Sequence, residues 1–175
     1  MSNMRTKSLY PYGGQLCETN IFGYSTKGIP GIEIVGMGKY SRTLKEKFVY
    51  ISRQKALKFP MRRYVLCVEG ELEGKKFKEE EFRYLELPLL IMLWSLTGHL
   101  PVENLEDCFS AGKVSVEGEI KALELNGLTE QIEEMYSLEK DQRIKIIAPI
   151  KSQVDESFYH LPLEEIWNSL KIGPL

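Results

Sequence analysis

The feature that most constrains the fold is the segment from Leu85 to Leu100, which has almost no polar side. Its apolar members include Leu87, Leu89, Leu90, Ile91, Met92, Leu93, Trp94 and Leu96. The segment is longer than a typical strand, so it predicts a central helix that is buried nearly all round. Pro88 fits the first helical turn, Glu86 lies near the positive end of the helix dipole, and Gly98 offers a C-terminal stop.

The remaining sequence alternates strand patterns with helix patterns. In the first thirty residues, short apolar pieces lie between glycines and prolines, which indicates strands joined by turns. Further strands are predicted at Ile32–Val35, Arg63–Val68, Cys108–Val116 (turning at Glu117-Gly118) and Ile144–Ile147. Helices are predicted at Lys39–Leu57, Leu128–Leu138 and Leu163–Leu170, and the charged run Glu69–Arg83 predicts a solvated loop. We therefore expect one α/β (α+β) domain over residues 1–175, with a mixed sheet packed against helices.

Composition and charge argue against several functional classes. The 175 residues carry a net charge of -2, which argues against binding nucleic acid or membranes through net charge alone. The N-terminal residues lack the apolar core of a signal peptide, and no apolar segment is long enough to span a bilayer. Cys17, Cys67 and Cys108 are far apart, which is typical of buried thiols in a reducing compartment. We therefore expect a cytoplasmic protein without membrane contacts.

The sequence contains no recognisable cofactor or metal motif. A phosphate-binding loop needs GxxxxGK followed by Ser or Thr, and the Gly-Lys pairs at residues 38–39, 74–75 and 112–113 lack that context. A zinc site needs three or four ligands, whereas His99 and His160 stand apart from other ligand types. The sequence therefore predicts no cofactor, no catalytic metal and no ATPase activity.

Two groups of residues are candidates for binding anions. The run Gly36-Met37-Gly38-Lys39-Tyr40-Ser41 resembles part of a dinucleotide-binding fingerprint, with serine in place of its third glycine. Glycines that ease a turn from strand to helix explain the same run, although the helix N-terminus there can bind an anion. With two arginines near the next strand, the candidate anion or nucleic-acid contacts are Lys39, Ser41, Arg42, Arg62 and Arg63.

A series of short motifs runs along the chain at residues 28–36 (GIPGIEIVG), 59–66 (FPMRRYVL), 85–91 (LELPLLI), 96–101 (LTGHLP) and 112–120 (GKVSVEGEI). In that order they resemble GLPGFTIVGLP, FPxRRxxVN, FDLPIAL, ASGxLP and GELSLDGRL of ComM-type AAA+ proteins, which are related to the Mg-chelatase subunit ChlI. The chain is thus similar, over nearly its whole length, to the N-terminal Lon-protease-like domain of these proteins. The resemblance implies a stand-alone copy of that domain with a Lon-protease-like fold.

The resemblance also implies that the proteolytic site of Lon is missing. In Lon a catalytic serine begins the central helix and a lysine follows the later hairpin. These positions fall near Glu86 and near Asn126 and Gly127 in this chain. A carboxylate without a lysine supplies neither the hydroxyl nor the base of a serine nucleophile, so we expect a pseudoenzyme. Ser115 and Lys121 are a possible substitute pair, but their placement on a hairpin does not match the family's site.

The chain departs from ComM-type proteins in two further ways. The loop before Glu86 has lost the family's glycines, and the 175 residues contain no AAA+ ATPase part, so the chain cannot be a DNA branch-migration motor alone. We therefore expect a non-enzymatic binding or regulatory module that acts through protein contacts, with an AAA+ ATPase on another chain as one partner. The alternatives left open are a nucleic-acid accessory domain with strongly salt-dependent binding, a residual Ser/Lys hydrolase, and the remnant of a longer ATPase gene.

Overall fold

The strands and helices follow one another in the mixed order that the sequence predicts. The computed structural model describes residues 2–70, 80–102, 104–123, 144–152, 154 and 158–168. The strands are β1 (Ser2–Tyr12), β2 (Gln15–Thr26), β3 (Gly31–Val35), β4 (Arg63–Val68), β5 (Leu105–Ser110), β6 (Gly112–Val114), β7 (Ile120–Ala122), β8 (Ile144–Ala148) and β9 (Phe158–Pro162). The α-helices are α1 (Ser41–Gln54), α2 (Glu86–Leu96) and α3 (Leu163–Asn168), and 3-10 helices cover Gly38–Tyr40 and Glu81–Leu85.

Seven strands form one mixed sheet in the order β3-β4-β2-β1-β5-β8-β9, which places β3 at one edge. β1 and β2 form a long antiparallel hairpin, and β4 runs antiparallel to β2. The pairs β3–β4, β1–β5, β5–β8 and β8–β9 are parallel, and β6 and β7 form a separate hairpin. The predicted fold class, α/β with a mixed sheet packed against helices, is confirmed.

α2 lies in the core, as its apolar sequence predicts. Ten of its residues are buried, and Ser95 is half-buried. The indole N–H of Trp94 donates a hydrogen bond to the hydroxyl of Ser52 in α1 at 2.8 Å, so the polar atom of this buried ring has a partner. Each fully buried leucine stabilises the fold by roughly 1.5–3 kcal/mol, so the burial of this helix contributes strongly to stability.

The sheet carries apolar side chains on both faces, because successive residues of a strand point to opposite sides. Tyr10 and Ile147 belong to the larger core cluster, which includes α1 and α2. Their neighbours Leu9 and Ile146 belong to a smaller cluster. The helices α1 and α2 therefore cover the face to which Tyr10 and Ile147 point.

The C-terminal bound of the central helix differs from the prediction. α2 ends at Leu96 rather than Leu100, because Gly98 adopts a left-handed φ of 80° and its N–H returns to the Ser95 carbonyl at 3.0 Å. The predicted stop at Gly98 is confirmed, and only the extension beyond it is wrong.

The first predicted helix is shorter at both ends. The chain forms a 3-10 turn at Gly38–Tyr40, and Ala56 adopts a left-handed φ of 55°. The α-helix therefore covers Ser41–Gln54 instead of the predicted Lys39–Leu57, since neither flanking segment continues its geometry.

The prediction of a single strand at Cys108–Val116 is wrong. β5 ends at Ser110, and Gly112–Val114 pairs with Ile120–Ala122 in the separate hairpin. A β-carbon at Gly112 would lie 3.1 Å from Cδ2 of Leu87 in α2. The chain thus leaves the main sheet and packs closely on α2, where only a small residue fits.

The prediction of a solvated loop at Glu69–Arg83 is wrong for the described residues at its C-terminal end. Glu81–Leu85 forms a 3-10 helix, and Phe82 stacks on Tyr40 with ring centroids 3.6 Å apart. Apolar side chains lie among the charges of this segment, and the segment folds onto the core because their burial is favourable.

Other predictions fall partly outside the described residues. The Leu128–Leu138 helix lies outside them, as do the last two residues of the Leu163–Leu170 helix.

Cys67 and Cys108 are buried as predicted, whereas Cys17 is half-buried because it lies near the tip of the β1–β2 hairpin. Among the described residues, no helix is both long enough and apolar enough to cross a membrane.

Candidate functional site

A buried carboxylate lies at the position where the family resemblance would place the Lon serine. Glu86 is the first residue of α2, and its side chain is 0% exposed. A lone carboxylate at such a place costs several kcal/mol of desolvation and persists only with partners. Arg83 Nε lies 2.5 Å from Glu86 Oε1, and Lys47 Nζ contacts Glu86 Oε2. Both oxygens are therefore paired with cations.

Three different elements supply the partners of this carboxylate. Arg83 comes from the 3-10 helix that leads into α2, and Lys47 comes from α1. The carbonyl oxygen of Val114 in β6 accepts hydrogen bonds from Lys47 Nζ at 3.0 Å and from Arg83 Nη2 at 3.3 Å. The buried charges therefore tie α1, α2 and the β6–β7 hairpin together.

A second carboxylate lies outside the buried one. Glu80 Oε2 lies 3.0 Å from Arg83 Nη1 and 3.8 Å from Lys113 Nζ. The hydrogen bond from Arg83, followed by its charge, lowers the pKa of Glu80. Burial acts to lower the pKa of Arg83. The hydrogen bonds that Arg83 donates to Glu86 and Glu80, together with the negative charges of both residues, outweigh burial, so the pKa of Arg83 is raised overall. We name these five residues, Lys47, Glu80, Arg83, Glu86 and Lys113, the Glu86 cluster.

The Glu86 cluster is arranged to hold charge rather than to attack a substrate. A serine-type nucleophile needs a hydroxyl with a base nearby, and a nucleophilic carboxylate needs an oxygen that can reach the substrate. Here the carboxylate is paired on both oxygens, and Lys47 Nζ is occupied by Glu86 and the Val114 carbonyl. Asn126 and Gly127, where the resemblance places the Lon lysine, lie outside the described residues.

The substitute pair Ser115 and Lys121 is not brought together. Ser115 Oγ accepts a hydrogen bond from the Glu119 N–H at 3.1 Å, which fixes the turn between β6 and β7. Lys121 lies opposite Lys113 in the hairpin and is exposed. The hydrogen bonds of this described hairpin include none between Ser115 and Lys121.

The candidate anion contacts are divided between the two ends of the β3–β4 pair. Lys39, Ser41 and Arg42 follow the end of β3. Arg62 and Arg63 lie at the start of β4, beside the beginning of β3. β3 has five residues and spans about 13 Å at roughly 3.3 Å per residue, so one small anion cannot contact both groups.

The arginines of these groups differ in their partners. Arg63 Nη2 lies 2.5 Å from Glu33 Oε2, and the hydrogen bond to Glu33 raises the pKa of Arg63. Arg62 and Arg42 are exposed, and neither forms an ion pair with a described residue. The charge of Arg63 is thus compensated by Glu33, whereas the charges of Arg42 and Arg62 are not compensated by a described residue.

The backbone path accounts for the glycines of the partial dinucleotide fingerprint. Gly36 has a φ of 92°, and a β-carbon there would collide with the carbonyl oxygen of Val68. Gly38 also has a left-handed φ, of 54°. The Nζ atom of Lys39 lies 5.2 Å from the ring centroid of Tyr40, next to it in the chain. These residues turn the chain from β3 into α1.

Both histidines face backbone carbonyls. His99 Nε2 lies 3.0 Å from the Lys58 carbonyl oxygen, and His160 Nε2 lies 2.9 Å from that of Ala148. Within the described ranges, no group of three or more His, Cys, Asp or Glu side chains is placed to hold a metal ion.

A groove with an apolar floor lies between α1 and the beginning of β3, and we name it the α1–β3 groove. Its volume is ≈ 580 Å³. Its floor is formed by Ile32, Val49, Leu57, Phe59 and Tyr64. Met61, in its wall, is 81% exposed, and Ile29, next to the lining residue Pro30, is 88% exposed. These two apolar side chains project into solvent beside an apolar cavity.

The rim of the α1–β3 groove is basic. Among the described residues, it carries the cations Lys45, Arg53, Lys58 and Arg62 and one acid, Glu46. Lys45 Nζ lies 3.6 Å from Glu46 Oε1, so the acid is already paired. The groove therefore combines an apolar floor with an excess of positive charge.

Sequence reasoning did not point to Lys47, Arg83 or the groove. The sequence does contain a signal for the burial of Lys47. This lysine precedes Phe48 and comes three residues after Leu44, so it lies near the side of α1 that faces the core. An acid at the start of a fully apolar helix requires such a cation. The groove carries no local signal, because its walls come from segments on both sides of α1.

No protein-family model matches the chain, and a search of the curated proteins finds no significant match.

Proposed function

We propose that the protein is a non-catalytic binding module that docks a partner protein in the α1–β3 groove. The observation that carries this proposal is the exposure of Met61 and Ile29, at 81% and 88%, beside an apolar cavity. Large apolar side chains that project from a concave, polar-rimmed surface are typical of protein-binding sites. Burial of both side chains by a partner would remove this exposed area from water.

The Glu86 cluster supports the non-catalytic part of the proposal. The place at which the resemblance puts a serine nucleophile holds a carboxylate with both oxygens paired, and its neighbouring lysine is occupied. The cluster therefore serves the stability of the fold. The resemblance to ComM-type proteins makes an AAA+ ATPase on another chain one candidate partner.

Nucleic-acid binding is the second hypothesis, and the geometry favours it less. Its candidate residues lie at opposite ends of β3, and Arg63 is paired with Glu33. Phosphate contacts of exposed arginines would make the affinity fall steeply with salt. The groove, in contrast, offers an apolar floor that a phosphate backbone does not require.

The test is an affinity pull-down from host lysate with and without nuclease, read out by mass spectrometry. The wild-type chain is compared with the double variant Ile29→Asp/Met61→Asp, which places two charges beside the groove. We expect the wild-type chain to recover a defined protein despite nuclease, and the double variant to lose it.

The matched control is Ile150→Asp, at an apolar residue that is 61% exposed and does not line the groove. This variant should recover the same protein as the wild type. Recovery only in the absence of nuclease would favour nucleic-acid binding, and equal recovery by all three chains would exclude the groove.

A further inference from the structure

The α1–β3 groove lies beside an unpaired strand edge. β3 is the terminal strand of the sheet, and no described strand pairs with its outer side. The N–H of Gly31 donates to the Arg62 carbonyl at 3.1 Å, toward β4. Successive peptide groups of a strand point to opposite sides, so the N–H and C=O groups of Ile32 and Ile34 point outward. These groups are a template for a further strand.

β3 lacks the features that usually protect an edge strand. Its sequence, GIEIV, contains no proline and no lysine, and its only charge is Glu33. That charge is neutralised by Arg63 at 2.5 Å. Natural sheets commonly block their edges with charges, prolines or a covering element. An edge that no described strand pairs with, next to an apolar cavity, is therefore suited to recognising an extended chain.

The charge around the groove selects among extended chains. Arg53 and Arg62 are exposed and form no ion pair with any described residue, and Lys58 also lies on the rim. Glu46, the one acid that the described part of the rim contains, is paired with Lys45. Carboxylates of a docked segment would meet the unpaired charges of Arg53 and Arg62, whereas lysines or arginines would be repelled by them.

We propose that the α1–β3 groove binds an acidic, extended polypeptide segment of a partner protein, which adds a strand to β3. Its peptide groups pair with those of Ile32 and Ile34, and its carboxylates pair with Arg53 and Arg62. Alternate apolar side chains of the segment, which point to the α1 face of the sheet, enter the groove. This inference rests on the proposed function, because it specifies the chemistry of the protein partner. A nucleic acid cannot satisfy the strand edge, since it has no peptide groups to continue the sheet.

The test uses the whole chain and the capped heptapeptide EEVIVEE, which places three apolar residues between pairs of acids. Two further peptides are KKVIVKK, with reversed charge, and EEVIVEE methylated on its three central amide nitrogens. Binding is followed by amide chemical shifts of the ¹⁵N-labelled protein. We expect EEVIVEE to shift the amides of Ile32 and Ile34, and the other two peptides to leave them unchanged.

The double variant Arg53→Glu/Arg62→Glu tests the rim, and Arg42→Glu is the matched control because it reverses an exposed charge at the other end of α1. We expect the double variant to weaken EEVIVEE binding by about tenfold and the control to change it by less than about twofold. The amide spectra of both variants verify that they are folded.

Three results would overturn the acidic-strand proposal: no shifts at saturating peptide, equal binding of the methylated peptide, or equal binding of KKVIVKK. Dimerisation of the chain through the β3 edge, detected by sedimentation, would assign the edge to a second copy and also overturn it. If these tests fail but the pull-down still depends on Ile29 and Met61, the proposed function stands without the acidic strand. If both fail, neither proposal stands.

Discussion

Lys47 in α1 contacts the carboxylate of Glu86 at the start of α2, across 39 positions of the chain. The side chain of Lys47 is 14% exposed and that of Glu86 is 0% exposed, so water screens this pair little. Arg83 binds the other carboxylate oxygen at 2.5 Å. The pairing explains how a charged residue can begin the most buried helix of the protein.

Replacing Glu86 tests the structural role of the cluster. Glu86→Gln keeps the shape of the side chain but leaves Lys47 and Arg83 without their buried anion. We expect the free energy of unfolding to fall by about 3–5 kcal/mol, the usual effect of removing one partner from a buried pair. Urea denaturation measures it.

The control for this experiment is Glu46→Gln, which breaks the ion pair with Lys45. The Glu46 side chain is 65% exposed, so its loss should change the free energy of unfolding by less than about 1 kcal/mol. Similar effects of both substitutions would contradict a buried structural role for Glu86.

Gly36→Ala tests whether the glycines after β3 serve the backbone path. The φ of 92° and the collision of a β-carbon with the Val68 carbonyl should together cost at least about 2 kcal/mol. Gly31→Ala is the control, because Gly31 has open space around its missing β-carbon, and it should stay within about 0.5 kcal/mol of wild type. Thermal unfolding compares the two. A tolerated alanine at Gly36 would reopen the ligand-binding interpretation of this turn.

The stability should fall in alkaline solution. Burial raises the pKa of the Cys67 and Cys108 thiols and of the Tyr64 phenol. A group with a raised folded-state pKa contributes stability below its unfolded pKa, about 8.5 for a thiol, and loses it as the pH rises through the folded value. We expect the free energy of unfolding to decrease from about pH 8 upward, and Cys67→Ser/Cys108→Ser to reduce that slope. A flat profile between about pH 8 and 10 would contradict the burial of these thiols.

A serine-reactive fluorophosphonate probe should not label the native protein. Ser115 Oγ is engaged by the Glu119 N–H at 3.1 Å, and no base contacts it among the described residues. Labelling is measured by intact mass, with Ser115→Ala as the reference chain. A probe adduct that disappears in Ser115→Ala would establish the hydrolase alternative.

The sequence is sufficient to predict elements whose signal is local. The run of apolar residues predicts the central helix, and Gly98 predicts its end, because left-handed backbone at that position needs glycine. The β-branched segments give the strands that lie near Ile32–Val35 and at Arg63–Val68. The predicted strand at Cys108–Val116 is wrong because contact of Gly112 with α2, a tertiary effect, diverts the chain after Ser110.

The candidate sites are harder to predict from the sequence than the helices and strands, because they depend on which side chains come together in the folded protein. Arg62 and Arg63 are neighbours in the sequence, yet Arg63 is bound to Glu33 on the sheet and Arg62 stands on the groove rim. Charge patterns group the two arginines together, and only the register of β3 with β4 separates them. The same register creates the free edge at Ile32.

The central claim is that a partner protein docks at the α1–β3 groove, and site-specific photo-crosslinking tests it most directly. A photo-reactive phenylalanine analogue replaces Met61 in one chain and Ile150 in another, and both are irradiated in nuclease-treated host lysate. We predict a covalent adduct with one defined protein from position 61 but not from position 150, attached through a segment rich in acidic and apolar residues. Adducts of equal yield and identity from both positions, or none from position 61, would contradict the account.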